Sequence, residues 1–342
     1  LKAAKAFAQF IGSGPIIIGG DTRTSHDMLC SAAVSGVLSQ GIDVIEIGKV
    51  PTPTCQIMCR ELNASAALII TASHNPAEWN GIKLMDGEGA FLSPEDFKRF
   101  ESEFLNAESP KEKAWDQIGR YQKHDSAIEE HIQHIFKVID PTPIREAKLR
   151  VYIDPNHGTG AIATPKLLDA LGVDYDGFGL EGDGLFEHAP EPTKENLAIV
   201  EEKMKAGGYD IGFAQDPDAD RLVIFDENGQ FIGEDYSLGF CIDYLLSIST
   251  SPKSVVVNCS TSLVIADIAE MHGATIHYTK IGETHVSQKI RSENASVGGV
   301  EPCVVDVGVG VVVVGGGGGG GGGGVDSLCS SLPPPSSLLL FV

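Results

Sequence analysis

Three carboxylates stand at alternate positions in mid-chain, in Asp216-Pro217-Asp218-Ala219-Asp220-Arg221, between two apolar runs. Carboxylates crowded in this way repel one another at neutral pH unless a cation lies among them. A set of oxygen ligands suits Mg²⁺ or Ca²⁺ rather than Zn²⁺. The calcium-binding EF-hand loop is the obvious competitor, because Glu227 falls at its twelfth position. That loop needs glycine at its sixth position, where Arg221 stands, and its flanks should be helical rather than apolar strands. A solvated acidic turn is the plain alternative.

A second loop, Thr71-Ala72-Ser73-His74-Asn75-Pro76, follows the apolar run Ala66–Ile70. Pro76 disfavours helix at Asn75, so a tight turn is expected. A serine hydroxyl becomes a nucleophile only when activated, or it can already carry a phosphoryl group. No G-x-S-x-G stands here, which leaves a hydrolase elbow unsupported. A turn serine that caps backbone amides is the bland reading. Lys83, in Asn80-Gly81-Ile82-Lys83, can bring a cation to the turn or lie in solvent. Three aspartates leave Mg²⁺ short of oxygens, and a phosphoserine at Ser73 would supply one. Weaker candidates are Asp21-Thr22-Arg23, able to face an anion or simply to start a helix, and Thr279-Lys280-Ile281-Gly282-Glu283. The Gly-containing turn Asp154–Gly160 lacks the phosphate-loop patterns and is read as structural.

These loops need strand ends to hold them, and the chain supplies a repeated unit. A strand, a polar loop, a helix, a glycine and a second strand recur three times, beginning near Pro15, Leu149 and Ser254. That order predicts parallel right-handed βαβ units, with Gly41, Gly172 and Gly273 ending the helices. Each unit continues into a further apolar strand, and the loops beyond those strands are the Ser73 loop, the Asp216–Arg221 loop and Gly298–Glu301. Ligands of open α/β sheets sit beyond the carboxyl ends of strands. We therefore expect an α/β protein of three similar mixed domains in tandem around a cleft. The expected boundaries are 1–140, 141–248 and 249–302, and the 303–342 segment is a Gly/Val-rich tail that carries no functional claim. Ten consecutive glycines, Gly315 to Gly324, cannot bury a core.

Net charge is −22, from 47 acidic and 25 basic side chains. Such a surface disfavours nucleic acid and anionic membranes, both of which need clustered Lys and Arg. Seven cysteines at irregular spacings read as free thiols of a reducing compartment, so a cytoplasmic protein is expected. No run of about 20 apolar residues is present to span a membrane, and no secretory segment is read. The chain opens on Leu1 rather than Met, and a natural N-terminus upstream is expected.

T-A-S-H-N-P with N-G-I-K, then D-P-D-A-D-R, then K-I-G-E in a third unit resembles the α-D-phosphohexomutase family in order and spacing, over about residues 10 to 300. That family includes phosphoglucomutase, phosphomannomutase and phosphoglucosamine mutase. The resemblance implies four domains around a cleft, the first three α/β. It implies that Ser73 is the phosphorylated serine and that Asp216, Asp218 and Asp220, with the serine phosphate, hold Mg²⁺. It implies that Lys83 helps proton transfer, with His74 and Arg221 beside it in the catalytic set. Arg23, Gly282, Glu283 and Glu301 are implied substrate contacts, although Gly298-Gly299-Val300-Glu301-Pro302 departs from the family's G-E-x-x-G loop. The family's N-terminal S-G-x-R-G segment and its fourth, phosphate-binding domain are not seen, so the chain is expected to be incomplete. The implied reaction interconverts hexose 1-phosphate and hexose 6-phosphate through a phosphoserine and a hexose bisphosphate. The run Glu191–Leu197 and the Asn258–Thr261 region resemble prokaryotic members of both the phosphoglucomutase/phosphomannomutase and the phosphoglucosamine mutase types; the first type is expected, with phosphoglucosamine mutase as the alternative. A phosphatase and an inactive α/β scaffold are the rivals. A monomer or homodimer is expected.

Overall fold

The computed structural model describes residues 1–106, 111–249, 253–300 and 303–305. Three sheets follow one another along the chain. The first joins β1 (Ile16–Gly20), β2 (Val44–Lys49), β3 (Ala66–Ile70), β4 (Ile82–Asp86) and β5 (Tyr121–Lys123) in the order β4-β3-β1-β2-β5. The second joins β6 (Arg150–Asp154), β7 (Asp174–Gly177), β8 (Ile211–Gln215) and β9 (Leu222–Phe225) as β7-β6-β8-β9. The third joins β10 (Ser254–Asn258), β11 (Thr275–Thr279), β12 (Val297–Val300) and β13 (Cys303–Val305) as β11-β10-β12-β13. Four strands run parallel in the first sheet and three in each of the others, and a hairpin partner lies antiparallel at β4, β9 or β13. The repeated βαβ unit expected from the sequence is present, and Gly172 ends its helix in the left-handed region at φ 63°.

Burial follows the strand period. Ile16 and Ile18 of β1 face a core with Phe7, Cys30 and Val37, whereas Ile17 faces the opposite side. On that side the core does not stop at the first unit. Ile17, Met58 and Ile69 are continuous with Ile128 and Ile132 of the helix Ala127–Val138, and through them with Val151, Leu168 and Phe213 of the second unit. Each such side chain contributes about 1.5–3 kcal/mol when buried. Sheets one and two are therefore joined by apolar core rather than by a wet contact, and loops at their strand ends are held in register.

The helix Glu234–Ile248 lies between the second and third sheets in the chain. It packs Leu238, Cys241, Ile242 and Leu246 against Val255, Val257 and Val297 of the third sheet and Ile265 of the helix Val264–Met271. The helix thus packs on the third sheet although it precedes the boundary expected at 248. The cause is topological: the helix enters from β9 but covers the face of β10 and β12. Cys30, Cys55, Cys59 and Cys241 are buried free thiols and Cys259 is exposed. Among the described residues, no helix is long and apolar enough to cross a membrane.

Candidate active site

The β3–β4 connection carries Ser73. Thr71 closes its mouth by donating its N–H to Gly81 O at 3.2 Å. Ser73 itself has φ 49°, in the left-handed region that costs a non-glycine residue about 1–2 kcal/mol. Strain of this kind persists only where surroundings over-determine it, and it concentrates at functional sites. The Ser73 N–H donates to Thr71 Oγ1 at 2.9 Å. Its Oγ is half-buried and donates to Asp216 Oδ2 at 3.0 Å, across the junction of the first two units. His74 Nδ1 lies farther, at 3.4 Å from the same oxygen. Burial, then Arg221, pushes the His74 imidazole below its ordinary range.

The β8–β9 connection carries the aspartates, all three buried to 1% exposure or less. Asp216 Oδ1 accepts the backbone N–H groups of Asp220 and Arg221, both at 3.1 Å, which folds the turn around its own first residue. Asp218 Oδ2 accepts Thr52 Oγ1–H at 2.6 Å and Lys83 Nζ–H at 2.7 Å. Lys83 Nζ also donates to Asp220 Oδ2 at 2.6 Å. Burial raises the Asp216 carboxyl well above the carboxylate range, with Asp220 and Asp218 adding to it. Burial likewise pushes Asp220 up to about 6. Burial works to raise Asp218 too, but Lys83 and Thr52 outweigh it and bring that group down to about 2. Burial would lower Lys83, yet Asp218 and Asp220 hold its ammonium above the ordinary lysine range.

This loop fits a metal. One oxygen from each aspartate lies within 4.8 Å of the others. Asp218 Oδ1 is buried without a hydrogen-bond partner. A desolvated carboxylate oxygen without a donor is costly, and a hard cation satisfies it.

The remaining sequence candidates fall in different places. Arg221 is 6% exposed and reaches Glu191 Oε1 of the second unit at 3.5 Å. Gly282, at φ 121°, starts the helix Glu283–Glu293 in a conformation that glycine tolerates. Glu283 is half-buried; burial raises its carboxyl, and Lys83, Asp220 and Asp218 all act on it, so the third unit faces the same cluster. Glu301 lies outside the described residues. Arg23 departs from the expected substrate contact. It is 1% exposed, and its guanidinium donates to Asp21 Oδ2 and to the carbonyls of Ser73, Asn75, Pro76 and Trp79. Its five donors are all committed, leaving none for a sugar phosphate.

Sequence reasoning missed Thr52, and it placed Asp21 and Thr71 in candidate loops without giving either a role of its own. Thr52 lies in Val50-Pro51-Thr52-Pro53, just beyond the carboxyl end of β2. The strand-end rule that singled out the other loops could have found it.

Three family models match in succession: phosphoglucomutase/phosphomannomutase alpha/beta/alpha domain I over residues 1–111, domain II over 129–229 and domain III over 233–301. The chain belongs to the phosphoglucomutase/phosphomannomutase family. It is 38% identical over 287 residues to a phosphoglucomutase/phosphomannomutase of Thermococcus kodakarensis, covering 84% of this chain and 62% of that protein. It is 35% identical over 301 residues to a Methanopyrus kandleri protein assigned as a phosphoglucosamine mutase, covering 87% of this chain and 65% of that one. The chain thus spans less than two thirds of the length of these relatives. Among solved structures, one from Thermus thermophilus named for phosphomannomutase shares the fold at TM-score 0.82 and 23% identity, covering 99% of this chain and 74% of that one. A Burkholderia thailandensis phosphoglucomutase/phosphomannomutase family protein does so at TM-score 0.77 and 23% identity, covering 90% and 68%.

Proposed function

We propose that the protein is a phosphohexomutase that carries the travelling phosphoryl group on Ser73 and interconverts hexose 1-phosphate and hexose 6-phosphate. The observation that carries this reading is the Ser73 Oγ to Asp216 Oδ2 distance of 3.0 Å. A phosphoryl group on that Oγ would bring its negative oxygens against a buried three-carboxylate loop. Like charges at that range are tolerable only with a cation between them. Asp216, Asp218 and Asp220 would hold Mg²⁺, which when bound would offset phosphate charge and polarise the transferring group.

The chain's own residues do the rest. The sugar's free hydroxyl oxygen attacks phosphorus as the bond between phosphorus and Ser73 Oγ breaks, and the hydroxyl proton ends on the serine side. Lys83, held charged by Asp218 and Asp220, places positive charge beside the transferring oxygens. In the return step Ser73 Oγ attacks the other phosphate of the hexose bisphosphate as the sugar's phosphorus–oxygen bond breaks, and the Ser73 proton, which Oγ directs at Asp216 Oδ2, ends on the leaving sugar oxygen. Glu283, on which Lys83, Asp218 and Asp220 act, would read a sugar hydroxyl from the third unit.

Substrate choice rests on the Thermococcus kodakarensis relative, whose name, phosphoglucomutase/phosphomannomutase, points to glucose and mannose phosphates. The Methanopyrus kandleri relative supports glucosamine phosphate as the second reading. The test incubates the full-length protein with Mg²⁺, a trace of hexose bisphosphate and each hexose 1-phosphate in turn. Appearance of the 6-phosphate supports the proposal. Release of inorganic phosphate without isomer would make the protein a phosphatase, and no turnover of any of the three sugars would leave a scaffold.

A further inference from the structure

Ser73 is gripped at both of its peptide groups. Its N–H donates to Thr71 Oγ1, and Thr71 Oγ1 in turn donates to Asp21 Oδ2 at 2.6 Å. Its carbonyl accepts Arg23 Nη2–H at 2.6 Å. The same Nη2 holds Asn75 O at 2.7 Å, and Nη1 holds Pro76 O at 2.7 Å and Trp79 O at 3.0 Å. Four carbonyl oxygens of one loop thus converge on a single buried cation. Asp21, fully buried, takes the remaining Nε–H at 3.1 Å and balances the charge. The Phe186 ring of the second unit lies over the guanidinium, 5.1 Å from its centroid, and closes the open face. A lysine has three donors on a point charge and cannot span this set; the planar fork can.

We propose that Arg23 is a positioning residue. It holds the Ser73 turn in its left-handed conformation so that Oγ faces the aspartate loop, and it makes no contact with substrate. This rests on the reading of Ser73 as phosphoryl carrier. It assigns Arg23 to the underside of the loop, with Thr71 and Asp21 as its partners.

The experiment uses the full-length enzyme carrying Trp115→Phe. Trp115 is 88% exposed; with it and any tryptophan outside residues 1–342 replaced by Phe, Trp79, whose carbonyl Arg23 holds, is the fluorescent reporter. Arg23→Lys should lower kcat about 100-fold, the scale of effect that misplacement of a reacting group by about 1 Å produces. KM should stay within about twofold, as expected when substrate binding is untouched. The anisotropy of Trp79 should fall. In Arg23→Gly, guanidinium ion at non-denaturing concentration should restore kcat and anisotropy, and methylammonium should not. Thr71→Val, a milder variant that keeps Arg23, should move kcat and anisotropy in the same direction by about a tenth of that factor. An unchanged kcat in Arg23→Lys would overturn the proposal. So would a raised KM at constant kcat, which would put Arg23 on the substrate. Loss of kcat with Trp79 unmoved and no guanidinium rescue would overturn it as well. Should the parent enzyme show no mutase activity, the proposed function fails, while the Trp79 anisotropy of Arg23→Lys and Thr71→Val still decides whether Arg23 holds the loop.

Discussion

The β3–β4 and β8–β9 hairpins occupy the same place in two sheets of matching order. The first connection, Thr71 to Gly81, is exposed from Asn75 to Trp79; in the second, Asp216, Asp218, Asp220 and Arg221 are all buried. Both contain a non-glycine residue at positive φ, Ser73 at 49° and Ala219 at 50°. They are held in different ways. The aspartate loop ties itself, through Asp216 Oδ1 and the amides of Asp220 and Arg221. The serine loop is tied from beneath, by Arg23 and Thr71. A group that must meet substrate cannot be buried, so its rigidity comes from an outside anchor. A metal loop gains from burial, because desolvation strengthens its demand for a cation.

The sharpest break between the two loops is the separation of covalent chemistry from metal binding. Ser73→Ala should lower phosphoryl transfer at least about 1,000-fold, as loss of a nucleophile does. Calorimetric Mn²⁺ affinity, compared with that of the unphosphorylated parent, should barely move. Asp218→Asn should do the reverse first: metal half-saturation should rise more than about 100-fold, since even outer partners of metal sites are worth about 10–100-fold. Thr52→Val removes one donor to Asp218 Oδ2 without touching a ligand, and should weaken Mn²⁺ by about tenfold in the same titration.

The smallest effect is the one of pH. Asp220 is raised from 3.8 to about 6, so a proton competes with metal there. Metal affinity should fall by up to about tenfold per unit as pH drops below about 6. Without metal, the stability contributed by Asp220 is full below its ordinary 3.8 and is lost as pH rises through about 6. Asp218 runs the other way: its contribution is present above 3.8 and lost as pH falls through about 2. Calorimetric melting at pH 4.5 and pH 7 should therefore show a larger stabilisation by added Mg²⁺ at pH 7. Equal stabilisation at both would deny the buried aspartates their role.

Much of this was legible in the sequence because the chemistry is local there. The Asp216–Asp220 carboxylates sit within one turn, and Ser73 and Lys83 flank one hairpin. The βαβ repeat is written in alternating apolar runs and in helix-ending glycines. What was not legible depends on partners far along the chain. Arg23 reads as an anion ligand until its four carbonyl acceptors, some fifty residues away in sequence, are seen. Thr52 reads as a loop threonine until Asp218, 166 residues on, arrives beside it. The helix Glu234–Ile248 follows β9 directly, and only packing assigns it to the next sheet.

The most direct test of the account is whether Ser73 carries and gives up a phosphoryl group. The full-length protein is loaded with hexose bisphosphate in Mg²⁺, freed of ligand, and followed by intact mass and peptide mapping before and after addition of hexose 1-phosphate. The account predicts a gain of one phosphoryl group mapped to Ser73, its transfer to the sugar rather than to water, and no gain in Ser73→Ala. A phosphoryl group on another residue, or turnover with Ser73 never modified, would contradict it.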